Sequence, residues 1–505
     1  MSQSKLSKTP VIIPSLVGLV LASLWLFSDM PRQNLVLITI MSMMGLVFIL
    51  FVWYMIFSGA SRKAKGAVAG VALVLAVLAF LTLEVRDFSG DIVPKLAFKW
   101  TPRSDETLAN DTQTAAEADL VAIDYAFPKF MGPNGDQSIS GVNLSRDWTT
   151  PPKEIWRIKI GAGWSGFAVA GNLAVTQEQR GDREMVTAYN LSTGEQVWAH
   201  GDDVRFNSSL GGDGPRSTPT LFDGKVYTLG ATGLLNCLDL ATGAKIWGRD
   251  LVAENTGTVP EWGFSSSPLV LDDLVVAPTG GYALLAAFDR ESGEPAWKTG
   301  GERVGYSSPN VATIAGVRQI LSLNGDSVTG HDPETGRVLW RDLWGKGTPN
   351  VANPLPLPND KVFVSSGYGV GAKLYQLSAS GEDIAAEELY FTPRLKAKFA
   401  NVAHRDGYIY GLDDGVLTCI DVAEGQRQWK KGRYGHGQIF LVDDLLLVQS
   451  EDGVLHLVEA SPEKHNELGK VEVLKEKAWN CMALAGDLLL MRNHYEAVCL
   501  KLPLK

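Results

Sequence analysis

One phrase, repeated, constrains this chain more than anything else in it. Its clearest copy is Leu238-Asp239-Leu240-Ala241-Thr242-Gly243-Ala244-Lys245-Ile246-Trp247. It reads as the end of a strand, a tight turn and the start of the next strand. The Asp carboxylate can accept from the backbone N–H groups that follow it, Gly243 can take the positive φ such turns require, and Trp247 opens the next apolar run. Asp or Asn, then Gly four residues on, then Trp four beyond that, return at Asn190/Gly194/Trp198, Asp289/Gly293/Trp297, Asp332/Gly336/Trp340 and Asp421/Gly425/Trp429. Five copies at one spacing are an internal repeat.

Each repeat keeps one order, shown by 217–247: an apolar strand after Ser/Thr-Pro, a second after an Asp-Gly or Asp-Asp turn, a third ending at the Asp, and a fourth beginning at the Trp. Four short antiparallel strands per unit of about 40–50 residues predict a β-propeller blade. Gln376, with Gly381 after it but no Trp, marks a degenerate copy in which Ala385 takes the Trp position. Glu459 and Lys501, placed by the strands 454–458 and 495–500, mark two weaker ones, for eight blades. The run 154–158 (Glu-Ile-Trp-Arg-Ile) has no blade before it, and the C-terminus stops after a third strand. The first strand should therefore complete the last blade and leave no open edge. The expected fold is all-β, an eight-bladed propeller over 122–505.

Ahead of it lie three apolar runs without an internal charge, 11–27, 35–57 and 67–83. Runs of about 17–25 apolar residues match a bilayer's hydrocarbon thickness when helical. They predict an anchor over 1–85 with three transmembrane helices, because core helices would need a cover that the repeats do not offer. The first run lacks a convincing signal-peptide cleavage site. Lys5 and Lys8 precede the first run, and Arg62, Lys63 and Lys65 separate the second and third. Cytoplasmic loops collect such residues, so the propeller is expected outside the cytoplasm, on a multi-pass protein of the inner cell membrane. Residues 86–121 read as a polar linker, with 101–119 too poor in large apolar residues to fold alone. A net charge of -10, with no basic cluster in the repeats, excludes a nucleic-acid partner.

The motif Asp-x-x-Thr-Gly-x-x-x-Trp resembles that of the pyrroloquinoline-quinone (PQQ) repeat propellers, which include quinoprotein dehydrogenases and the envelope assembly lipoprotein BamB. The resemblance runs from about Phe127 to the C-terminus. It implies that Trp156, Trp198, Trp247, Trp297, Trp340 and Trp429 dock blade against blade. The leading stretch 130–135 (Phe-Met-Gly-Pro-Asn-Gly) is similar to a segment of other PQQ-repeat proteins and reads as a turn packed under the ring.

The resemblance is one of fold, so function has to come from a site. Quinoprotein dehydrogenases carry a vicinal cysteine pair beside the quinone and an acidic calcium site, and no two cysteines here are adjacent. Cys237, Cys419 and Cys499 fall two residues before the motif's Asp position, where Ala188 and Ala287 stand in other blades, which makes this a small packing position. No zinc-protease, nucleotide-loop, serine-hydrolase or paired-Cys metal motif occurs, so no catalytic or metal residue is assigned.

Ligand-binding candidates lie instead between each Trp and the next first strand, in segments that open on one face and converge on the central channel. They are Trp164, Arg216, Glu261 and Trp262, then Tyr306, Asn350, Lys398 and Asn401, then His436, Gln438, Trp479 and Asn480. Aromatics with amides and a few charges suit a polar ligand or a peptide, and the plain alternative is loop residues satisfying turn backbones. His436, with Gly on each side, is open to ligand contact or to a turn role. The expected function is a membrane-anchored binding or assembly scaffold with an envelope protein or peptide partner. The alternative is a PQQ- and calcium-dependent alcohol or sugar dehydrogenase.

Overall fold

The structure, a computed structural model, describes residues 9–28, 30–108 and 124–505 apart from Tyr282, Glu302, Lys346, Thr348 and Glu382. Lys5, Lys8 and the linker residues 109–121 lie outside the described residues. The chain divides into two compact units, Met1–Pro102 and Arg103–Lys505.

The first unit holds helices α1 (Thr9–Phe27), α2 (Arg32–Phe57) and α3 (Arg62–Thr82). Helices α2 and α3 are long and apolar enough to cross a membrane, whereas the apolar stretch of α1, Val11–Phe27, is shorter. Ser61 caps α3 by accepting from the Ala64 N–H at 3.2 Å, the N-cap role for which Ser is suited. A strand begins directly at its C-cap: Leu83–Phe88 pairs antiparallel with Pro94–Phe98, running from the end of the expected anchor into the stretch that composition reads as linker.

The second unit is a ring of eight antiparallel sheets of four strands each, one of them with a fifth strand added. Blades 1 to 7 cover 168–202, 220–250, 269–299, 310–343, 355–392, 403–433 and 438–472. Blade 8 takes three strands from 483–501 and its outermost from Lys153–Lys159, which pairs antiparallel with Glu496–Lys501. The expected closure of the ring by its own first strand is thus present.

The motif's chemistry is as its residues dictate. Asp239 Oδ1 accepts from the Thr242 N–H at 2.9 Å and its hydroxyl at 2.7 Å, while Gly243 sits at φ 73°. Five of the six docking tryptophans then reach the next blade's turn. Trp198 Nε1 donates to Leu240 O at 2.9 Å, Trp247 to Arg290 O at 3.0 Å, Trp429 to Ser461 O at 2.9 Å, and Trp156 and Trp297 do likewise to Leu191 O and Pro333 O. The small residue before the motif lies directly across from the indole: Cys237 pairs with Trp247, Cys419 with Trp429 and Ala188 with Trp198. Those cysteines are free and buried.

Two blades depart from the motif and keep its geometry. In blade 5 the hairpin 371–380/383–392 is longer, so the position opposite Leu374 is held by Tyr390 rather than by Ala385, which is exposed. Tyr390 donates to Val422 O at 3.1 Å and lies against Gly425, as the tryptophans lie against the glycines of their neighbours. In blade 7 the position is Gly469, and the ring that fills it is Trp148 from the segment before the first strand, 8% exposed. Trp340 faces the altered turn of blade 5 and donates instead to Gln319 of its own blade, at 2.5 Å.

The stretch 127–139 crosses the inside of the ring. Phe127 bridges to Val169 of blade 1, Leu221 of blade 2 donates to Pro128 O at 2.7 Å, and Asn310 of blade 4 donates to Gly135 O at 2.9 Å. Ser138–Ile139 then adds a parallel fifth strand to the inner edge of blade 7, beside Leu441 and Val442. Phe130 to Gly135 therefore belong to a plug in the channel.

Candidate functional site

At the other end of the channel the innermost strands begin, and the residue just before each of them ties its blade to the next. Gly166 N–H donates to Thr218 Oγ1, Thr218 N–H to Ser267 Oγ, Ser267 N–H to Ser308 Oγ, Ser308 N–H to Asn353 Oδ1, and Asn353 N–H to Asn401 Oδ1, at 2.7–3.1 Å. Gln438 continues the belt, its Nε2 donating to Phe399 O at 3.1 Å and Trp479 O at 2.8 Å, and Cys481 meets Gln438 Oε1 at 3.5 Å. A buried backbone N–H needs an acceptor, and a short polar side chain from the adjacent blade supplies one without filling the channel. Burial pushes the Cys481 thiol up to about 12, so it is a neutral member of this belt.

Above the belt, aromatic rings meet across the mouth. Tyr306 lies 5.4 Å from Trp262, Trp262 6.4 Å from Tyr368, and Tyr368 6.3 Å from Phe399. Phe399 lies 4.8 Å from Trp479, Trp479 4.8 Å from Trp164, and Trp164 3.7 Å from His494. His436 sits edge-on to Phe399 at 5.4 Å. Two ammonium groups are set into this collar: Lys398 Nζ is 4.9 Å from both Tyr368 and Phe399, and Lys477 Nζ is 3.8 Å from Trp479 and 4.7 Å from Trp164. Both lysines are 4% exposed, which strengthens each cation–π contact relative to one in water. Burial raises the pKa of Tyr368 and of Tyr306, keeping both phenols neutral.

Of the residues expected at the mouth, Trp164, Trp262, Tyr306, Lys398, His436 and Trp479 come together in the collar. Asn350, Asn401, Gln438 and Asn480 lie beneath it and are engaged with backbone. Asn350 Nδ2 donates to Asn324 O at 2.6 Å, and Asn480 Nδ2 to Gly163 O at 3.0 Å and Ser165 O at 2.8 Å. Arg216 clamps the loop before blade 2, donating to Gly212 O at 2.7 Å, Gly211 O at 3.1 Å and Gly214 O, with its guanidinium 4.4 Å from the Phe206 ring centroid. Burial draws its pKa down to about 10. Glu261 is exposed.

Sequence reading missed Tyr368, Phe399, Lys477 and His494 in the collar. Phe399 and Lys477 lie in the segments that supplied Lys398 and Trp479, so an aromatic or cation beside a chosen residue was their only signal. Tyr368 and His494 come from loops between middle strands, which had not been expected to reach the mouth.

The fold class implies a quinone and a metal. Among the described residues no group of three or more His, Cys, Asp or Glu could hold a metal ion. Trp262 is stacked on Tyr306 at 30° and on Tyr368 at 23°, so these collar rings cover one another's faces. Trp164 Nε1 donates to Gly211 O at 2.6 Å and Trp479 Nε1 to Glu451 Oε1 at 3.1 Å, whereas the buried indole nitrogen of Trp262 has no hydrogen-bond partner among the described residues.

The family model described as outer membrane protein assembly factor BamB matches residues 182–431. Curated proteins yield no sequence match. Among solved structures, BamB from Moraxella catarrhalis is similar at 14% identity, with 69% of this chain and 99% of that one covered and a TM-score of 0.52. A europium-containing methanol dehydrogenase is similar at 12% identity, 73% and 89% coverage and a TM-score of 0.55. The quinohemoprotein alcohol dehydrogenase from Comamonas testosteroni follows at 12% identity, 74% and 80% coverage and a TM-score of 0.54. At these identities the likeness is one of fold.

Proposed function

We propose that this protein, a propeller similar to the PQQ-repeat class that follows apolar helices, is a membrane-anchored scaffold of the cell envelope. Its propeller lies outside the cytoplasm, as the positive flanks of the helices suggest, and its channel mouth is a recognition surface for a protein or peptide partner. The collar carries this reading. Rings fixed by mutual packing give contact area at little entropic cost, and the buried Trp262 N–H is an unmet donor for a carbonyl or carboxylate on the partner.

The test is photo-crosslinking in cells from residues introduced at Tyr306 and Trp262, against a control on the outer strand of blade 6 at Gln428. A discrete protein adduct from the mouth positions, absent from the control, is expected. Equal adducts from both, or none, would overturn the mouth as the recognition surface. Titration of the full-length protein with PQQ and Ca²⁺ discriminates the enzyme reading. Micromolar binding lost in Trp479→Ala, together with dye reduction, would replace the scaffold with a quinoprotein oxidoreductase.

A further inference from the structure

The hairpin that follows α3 is amphipathic, and its two ends are fastened to helix termini. Its register sets Leu83 opposite Phe98 and Val85 opposite Leu96, so these four side chains share one face of the pleat. Glu84 stands opposite Ala97 and Asp87 opposite Lys95 on the other, where Glu84 and Arg86 form an ion pair of 2.5 Å. The apolar face is bare: Val85 is 51% exposed, Leu96 63% and Phe98 50%. Trp100, 66% exposed, extends it by stacking on Phe98 at 4.8 Å and 10°.

The fastenings fix where this face lies. No loop separates α3 from the hairpin, since the helix's C-cap, Leu83, is the first strand residue. The Lys99 N–H donates to Thr82 O at 2.9 Å and its ammonium to Phe80 O at 2.7 Å, so the returning strand caps the helix it left. At the tip, Asp91 pairs with Arg32, the first residue of α2, at 2.8 Å. The chain enters α2 at Arg32 and leaves α3 at Thr82, so two successive crossings put both points on the same side of a membrane. The hairpin therefore lies along that side, level with the helix ends, and α3 beside it has no buried residue.

We propose that Leu83–Phe98 is an interfacial element, with Val85, Leu96, Phe98 and Trp100 seated among the headgroups and upper acyl chains of the extracytoplasmic leaflet. The proposal rests on reading α2 and α3 as membrane spans. The occupant is lipid because the face continues the bare apolar surface of α3 at its end, where a bilayer's interface begins. A two-stranded hairpin is marginal in water, and covering its apolar face is what makes it persist. An indole suits the headgroup level, and Lys99 keeps a cation there.

The experiment uses the full-length protein in phosphatidylcholine vesicles, with an environment-sensitive dye on cysteines introduced singly: Leu96→Cys and Phe98→Cys on the apolar face, Lys95→Cys on the polar face, and Val74→Cys in the middle of α3. Unsubstituted protein serves as the background for the native cysteines. Headgroup-proximal nitroxide lipids should quench the dye at 96 and 98 several-fold more than at 95, and chain-terminal nitroxides should quench it at 74. Quenching at 74 without quenching at 96 or 98 would overturn the hairpin proposal and leave the anchor intact. No quenching at 74 would instead overturn the anchor, and the proposal with it. Protection at 96 and 98 that appears only at high protein density would assign the face to a second copy of the chain and overturn the lipid assignment.

Discussion

The propeller uses aromatic rings in two places, its rim and its mouth, and does so in opposite ways. At the rim each blade presents one ring to its neighbour, and five of the six motif tryptophans donate their N–H to a backbone carbonyl of the next blade's turn. At the mouth the rings meet one another and two lysines, and the Trp262 N–H is left without a partner. In blades 5 and 7 a ring still fills the rim position after the motif is lost, Tyr390 with a hydrogen bond to Val422 O and Trp148, borrowed from outside the blades, by packing alone. The fold thus fixes the rim position and lets its occupant vary, whereas nothing in the ring's closure requires the mouth collar.

Variants can break that contrast or sharpen it. The largest effect is expected from Trp198→Ala, which empties a site 1% exposed and costs about 3–5 kcal/mol; an unchanged Tm of the full-length protein would break the rim half of the comparison. Trp148→Ala should cost about 2–4 kcal/mol although it lies in no blade. Adding Gly469→Trp to it should restore part of the loss, and a double variant no more stable than the single one would show that the ring does not serve blade 7.

Glu184 sharpens the comparison from between blades 1 and 2, where it accepts from the Ala231 N–H at 3.2 Å and is 6% exposed. Burial raises its pKa from 4.5 to about 8. Between those values the folded protein holds a proton that the unfolded chain releases, so stability falls as pH rises through that window, by roughly 1.4 kcal/mol per unit, and is flat above it. Glu184→Gln should remove that slope in denaturant titrations at stepped pH, and an identical slope in the variant would refute the assignment.

Tyr390→Phe deletes one hydrogen bond to Val422 O and should cost about 1 kcal/mol, while Ala385→Ser should stay within about 0.5 kcal/mol. The reverse order would return the docking role to Ala385. Least of all, Trp262→Ala should leave Tm within a degree or two of the parent, the mouth being dispensable to the ring. A drop like that of Trp198→Ala would erase the distinction between mouth and rim.

How much was legible follows the same line. The blades, their number and the closing strand could be read because a strand end, a turn and a docking ring recur at fixed spacing, and Asp239, Gly243 and Trp247 each have one physical task. Tyr390 escaped because a lengthened hairpin shifts the ring by five residues, and Trp148 because a ring supplied from elsewhere leaves no trace at Gly469. The belt was half visible in the Ser/Thr-Pro steps at Thr218 and Ser267, but the roles of Asn353, Asn401 and Gln438 in it depend on a neighbouring blade's backbone. The collar was half visible too: loops at the mouth could be named from the repeat, but not which middle-strand loops lean in to join them, since Tyr368 and His494 obey no period.

The closing strand Lys153–Lys159 carries a consequence in time. Arg157 and its partner Glu496 stand 339 positions apart, so at about 5–20 residues per second the ribosome takes roughly 17–70 s to deliver the second after the first. For that interval the first strand has no sheet to join, although Trp156 can already meet Leu191 and Gly194 of blade 1, and seven blades wait on the eighth for closure. Birth order makes the earliest strand the last to be satisfied, so a nascent propeller keeps an open edge until residues 483–501 arrive.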